Sequence, residues 1–150
     1  MLRIVNLVAE AYRGVIPDDC WHEPYMPRGE LVAELAAGVA FWGYEADGEL
    51  VGVMGMQPVR DVELIRHAYV LPGFQRSGVG AALLSELIGT VAPGRPVLVG
   101  TWAAADWAIR FYERHGFALV GAARTVELLR SYWTIPDRQI ETSVVLALVR

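Results

Sequence analysis

Apolar residues open the chain with a helical rhythm. Ile4, Leu7, Val8, Ala11 and Tyr12 stand at i, i+3, i+4, i+7 and i+8, which predicts a helix over residues 3–13 with one apolar face. Gly14 and Pro17 end it. Residues 16–28 lose the periodicity. Pro17, Pro24 and Pro27 make them a loop, which carries Asp18, Asp19, Trp21, His22, Glu23 and Tyr25. A second helix is expected from Arg28 to Ala37, stopping at Gly38.

The rhythm then changes. Residues 39–46 and 50–57 read as two strands joined at Asp47-Gly48, a strong hairpin signal. Residues 61–71 make a third strand, 78–91 a helix, 96–101 a short buried strand, and 105–115 a helix ending at Gly116. Phe117–Val120 begins another strand, 126–133 is a short helix or a turn, and 139–149 is a final strand. The order α-α-β-β-β-α-β-α-β-β predicts an α+β fold, a mixed sheet with helices on both faces. No repeat or linker divides it, so residues 1–150 are expected to form a single domain.

Composition narrows the class. A 54% hydrophobic chain with 20% charged residues is globular, and its formal net charge of −4 argues against nucleic acid as a partner. All 13 basic residues are Arg, which removes Schiff-base and P-loop lysine chemistry. The single cysteine, Cys20, cannot form an internal disulfide, and a cytoplasmic location is expected. No apolar run reaches the roughly 18 residues of a membrane span. No metal enters the expected chemistry.

The chemistry begins where the third strand runs through a Pro72-Gly73 turn into Gln75-x-x-Gly78-x-Gly80 and a helix. Such a junction aims main-chain N–H groups and a helix dipole at one point, which suits a phosphate. Gly78 and Gly80 let a ligand oxygen approach, and Arg76 adds a cation. The pattern is neither a dinucleotide fingerprint, since Leu83 stands where the third glycine would be, nor a P-loop. Further on, Ala108, Phe111 and Tyr112 share one face of a helix, and a phenol there is a usable general acid.

Together the two segments resemble the GCN5-related N-acetyltransferase (GNAT) superfamily. Gln75-x-x-Gly78-x-Gly80 is similar to its acetyl-CoA signature, Arg/Gln-x-x-Gly-x-Gly/Ala. Ala108-Ile109-Arg110-Phe111-Tyr112-Glu113-Arg114-His115-Gly116-Phe117 resembles its second motif. The resemblance covers residues 40–149. It implies a GNAT-like fold with a central twisted sheet, and acetyl-CoA as cosubstrate. It also implies a strand that splays from its neighbour to admit the pantetheine arm, here at Ala68, Tyr69 and Val70. The pyrophosphate would rest on N–H groups of Gln75, Arg76, Ser77, Gly78, Val79, Gly80 and Ala81. Ala105, Ala108 and Phe111 would complete the cofactor site. Val70 N–H would stabilise the oxyanion. Tyr112 would touch the cofactor and protonate the departing thiolate.

Two departures stand out. Ala105 occupies a position where many relatives carry an Asn that contacts CoA. No strand precedes the first helix, which would leave a sheet edge free for self-association as a homodimer. The general base is expected at Glu63 or His67, which at i, i+4 of a strand would share a face. His22 and Glu23 are rivals from the loop. A histidine side chain ordinarily titrates near neutrality, which suits the task. The acceptor is expected to be a small amine with an apolar body. It would be met by aromatic residues among Trp21, Tyr25, Trp42, Trp102, Trp107, Tyr132 and Trp133, and by the acids Asp18, Asp19 and Glu23. The alternatives are a non-catalytic acyl-CoA sensor on the same fold, or an enzyme acting on protein or peptide amines.

Overall fold

The computed structural model describes residues 1–150. Helix α1 (Leu2–Val8) passes into a 3-10 turn over Ala9–Tyr12, and helix α2 (Arg28–Ala36) follows the proline-rich loop. Strands β1 (Ala40–Ala46), β2 (Glu49–Val59) and β3 (Val62–Val70) form an antiparallel meander. Then come helix α3 (Val79–Gly89), strand β4 (Val97–Trp102), helix α4 (Asp106–Arg114), strand β5 (Phe117–Leu119), helix α5 (Ala122–Tyr132), helix α6 (Asp137–Glu141) and strand β6 (Ser143–Leu148). The sheet runs β1-β2-β3-β4-β6-β5, with β3 and β4 its parallel pair. The α+β architecture is the one expected. The chain differs from the expected elements at two places. Residues 122–132 form a full helix whose Leu128 and Leu129 cover the sheet, and residues 139–141 of the expected last strand belong to α6.

Helices cover both sheet faces. Met54, Met56 and Ile65 pack with Val79, Leu83, Leu84 and Leu87 of α3 and with Tyr112 of α4. On the other face Val53 and Tyr69 meet Ile4 and Val5 of α1 and Leu31 of α2, while Leu64, Leu98 and Val145 meet α5. Each such buried aliphatic side chain contributes about 1.5–3 kcal/mol. No helix is long and apolar enough to cross a membrane.

Two irregularities position the site. Val53 pairs with Tyr69 but Gly55 pairs with Arg66, so β3 carries one residue more than β2 across this interval. His67 is that bulge, with φ 55°, a left-handed conformation that costs about 1–3 kcal/mol in a non-glycine residue. The second irregularity is a parting of strands. β3 and β4 pair only over Glu63–Val97, Leu64–Leu98 and Ile65–Val99. Beyond this β4 stays with β6 through Trp102, and β3 turns away.

Candidate active site

The head of α3 is built as an anion cradle. Gly78 caps the helix with φ 89°. Ala82 N–H is the first to bond back, to Gly78 C=O at 2.9 Å. From Arg76 through Ala81, six successive main-chain N–H groups have no partner in the protein. They stand at the positive end of the helix dipole, where an anion gains most. Gln75 N–H does not join them, because it turns back toward Pro72 C=O at 3.4 Å. The Gln75 side chain instead donates to Val70 C=O at 2.9 Å. Ser77 donates its hydroxyl to Phe74 C=O and so braces the loop. Gly80 is required by proximity, since a Cβ there would stand 3.2 Å from the Phe111 ring.

Beside the cradle lies a cavity of about 780 Å³, lined by Ala68, Tyr69, Val70, Gln75, Arg76, Gly78, Gly80, Ala81, Ala108, Phe111 and Tyr112 among others. Arg110, Arg114 and His115 add further basic groups, and no carboxylate lines it. The expected Ser77 and Val79 do not line it. Val79 sends its side chain into the core and offers only its N–H. Ala105 lies outside as well. Its methyl is fully buried against Ile16 and Trp102 behind α4, so it leaves the cavity rather than bordering it.

A second cavity of about 150 Å³ fills the gap between β3 and β4. It shares Tyr12, Ala68, Tyr69, Ala108 and Tyr112 with the first, so the two adjoin. Its walls include Tyr25, Trp102, Trp133, Arg66 and His67. Burial pushes the hydroxyls of Tyr12, Tyr25, Tyr69 and Tyr112 upward, and all four stay neutral donors at physiological pH. Leu71 N–H donates to Val51 C=O across β2 at 2.9 Å. The alternation of a strand therefore turns Val70 N–H to the opposite edge, toward the gap.

The face that Glu63 and His67 were expected to share does not exist. Before the bulge Glu63 shares the alternation of Ile65, which faces α3. The extra residue reverses the alternation, and Arg66 and His67 both meet Glu34 of α2 on the other face. Glu63 is held by Arg95 at 2.8 Å and lines neither cavity. His67 lines the smaller one. The loop acids are also diverted. Asp19 pairs with Arg138 at 2.7 Å, and Glu23 pairs with Arg13, so neither reaches the cavity wall. Of the aromatic residues singled out, Tyr25, Trp102 and Trp133 line the smaller cavity and Trp107 the larger. Trp21, Trp42 and Tyr132 line neither. The sequence reading missed Tyr12, Arg66 and Glu34. Tyr12 was legible only as part of an apolar helix face.

A family model described as "Acetyltransferase (GNAT) domain" matches residues 37–119, from the end of α2 through β5. The chain belongs to the GNAT acetyltransferase family. It is thereby an acetyl-CoA-dependent N-acetyltransferase. Solved structures agree in fold. The PaiA N-acetyltransferase of Thermoplasma acidophilum, in complex with coenzyme A, is 16% identical with a TM-score of 0.73, covering 99% of this chain and 90% of that one. A GNAT-family acetyltransferase from Staphylococcus aureus is 17% identical with a TM-score of 0.67, covering 98% and 90%. N-acetylglutamate synthase from Neisseria gonorrhoeae, complexed with coenzyme A and N-acetyl-glutamate, is 19% identical with a TM-score of 0.61. This chain is covered to 97% there but spans only 32% of that one. A search of curated proteins found no match. In this GNAT domain the likeness carries the fold, and the acceptor must be argued from its own residues.

Proposed function

We propose that this GNAT domain transfers the acetyl group of acetyl-CoA to a small primary amine with an apolar body, by direct attack on the thioester. One observation carries the reading. The free N–H run from Arg76 through Ala81 stands at the mouth of the gap where β3 leaves β4. A pyrophosphate on that run, with its pantetheine arm along Ala68–Val70, brings the thioester to the junction of the two cavities. The amine then enters from the smaller one.

The step balances as follows. The ammonium gives one proton to His67, which passes it to solvent. The nitrogen lone pair forms the N–C bond while the carbonyl oxygen takes negative charge toward Val70 N–H. The C–S bond breaks with its electron pair on sulfur, and Tyr112 O–H donates to that sulfur. The second proton lost by nitrogen restores Tyr112.

The acceptor class follows from the walls. Tyr12, Tyr25, Trp102 and Trp133 offer aromatic surface, and no carboxylate is available to hold a second ammonium group. Arylalkyl monoamines fit these walls, and polyamines do not. The test is incubation with acetyl-CoA and a panel of phenylethylamine, tyramine, spermidine, free amino acids and an N-terminal peptide, reading thiol release and product mass. Turnover of the aryl amines above the others is expected. Turnover restricted to spermidine or the peptide would reject the acceptor class, and failure to bind CoA by calorimetry would reject the cradle.

A further inference from the structure

The bulge on β3 brings together three side chains that no sequence motif announces. One oxygen of Glu34, Oε2, receives both His67 Nε2 at 2.8 Å and Arg66 Nη2 at 2.9 Å. Arg66 Nη1 donates to Gln57 Oε1 at 2.8 Å, and Gln57 Nε2 donates to Ala37 C=O at 3.0 Å, just past the end of α2. The network fastens α2 to β3 and leaves Glu34, Arg66 and His67 each largely buried. His67 is flanked by Phe41 of β1, ring centroids 5.9 Å apart. The other titratable groups on its cavity are Arg66 and the four buried phenols.

The chemistry of the carboxylate decides the imidazole tautomer. The His67 hydrogen bond, aided by Arg66 and opposed by burial, holds Glu34 below the usual carboxylate range. An ionised carboxylate only accepts, so His67 Nε2 must carry the hydrogen. Nδ1 then bears the lone pair. It has no hydrogen bond within the protein, yet no buried side-chain nitrogen lacks a partner, so Nδ1 reaches open space. His67 also lines the smaller cavity. We propose that Glu34 is a positioning residue: it fixes His67 as the Nε2–H tautomer and presents Nδ1 to the acceptor ammonium as proton acceptor. When Nδ1 takes the proton, the imidazolium forms beside its counter-charge. The inference rests on the role of His67 proposed above.

Nitrogen-15 NMR of the imidazoles tests the tautomer without any turnover. Wild type is compared with H67N, which assigns the signal among the three histidines, and with E34Q. Neutral His67 is expected to show a protonated Nε2 and a bare Nδ1, and E34Q to lose that preference. With the best amine of the panel, E34Q is expected to lower kcat by roughly 10- to 100-fold. It should also move the acid limb of kcat/KM to lower pH and leave the KM for acetyl-CoA unchanged, and E34D should restore part of kcat. A wild-type Nδ1–H tautomer, or an E34Q profile with an unmoved acid limb, overturns the proposal. If the tautomer is as expected but H67N retains full activity, the tautomer set by Glu34 stands, while the role of His67 as base and the catalytic positioning by Glu34 both fall.

Discussion

The side-chain amide of Gln75 donates to the main-chain carbonyl of Val70 at 2.9 Å. This one bond ties the phosphate loop to the end of β3, where Val70 N–H faces the gap. Under the proposed function, this bond couples cofactor affinity to the Val70 N–H. Replacing Gln75 by Leu removes an exposed hydrogen bond worth about 0.5–1.5 kcal/mol. The expected result is a roughly 3- to 10-fold weaker Kd for CoA by calorimetry, with a lowered kcat. Gln75→Glu should be worse, since a carboxylate would face both the Val70 carbonyl and the pyrophosphate.

Tyr112 borders both cavities and is 5% exposed. Its hydroxyl stays protonated because burial disfavours the phenolate. Tyr112→Phe keeps the ring that packs against Phe111 and Phe117 and deletes only the donor. A fall in kcat of roughly 100-fold is expected, with the Kd for acetyl-CoA unchanged. An unaltered kcat would remove Tyr112 from thiolate protonation.

Trp133 lies flat on Gly100 in the wall of the smaller cavity, where a Cβ on Gly100 would come within 3.2 Å of the indole. Gly100→Ala must push the indole outward by a few tenths of an ångström or more. The KM for the amine is expected to rise several-fold while acetyl-CoA binding stays constant. If both KM values changed together, Trp133 would not belong to the acceptor wall alone.

Glu34 also links stability to pH. Its carboxyl is held below the usual value of 4.5, so the folded state binds the Glu34 proton more weakly than the unfolded state does. The stabilisation is fully present above that value and is lost as pH falls through the lower folded value. The Tm difference between wild type and Glu34→Gln should therefore shrink steadily below pH 4.5. A difference that did not shrink below pH 4.5 would contradict the ion pairing with Arg66 and His67.

Much of this was written in local pattern. The hairpin at Asp47-Gly48, the Pro-Gly turn before the cradle and the apolar face of α4 depend on neighbouring residues, and each formed where expected. Their spacing also carried the family. The wrong readings share one cause: each assumed that a local rule continued undisturbed. Glu63 and His67 share a face only on a regular strand, and the extra residue at His67 broke the alternation. Ala105 was expected at the cofactor from its motif position, but the packing of Ile16 and Trp102 took it inward. The loop acids read as free charge until Arg13 and Arg138 arrived from distant positions.

By itself, then, the sequence determined most of the elements and the turn-to-helix junction at Arg76–Ala81, because periodicity, turn chemistry and helix capping act over a few residues. Tertiary structure decided where the second cavity lies, which of the candidate residues lines it, and what holds that side chain. Glu34 and His67 are 33 residues apart. Only the packing of α2 against a bulged β3 places a carboxylate 2.8 Å from that imidazole, and no periodicity within either segment encodes the distance between them.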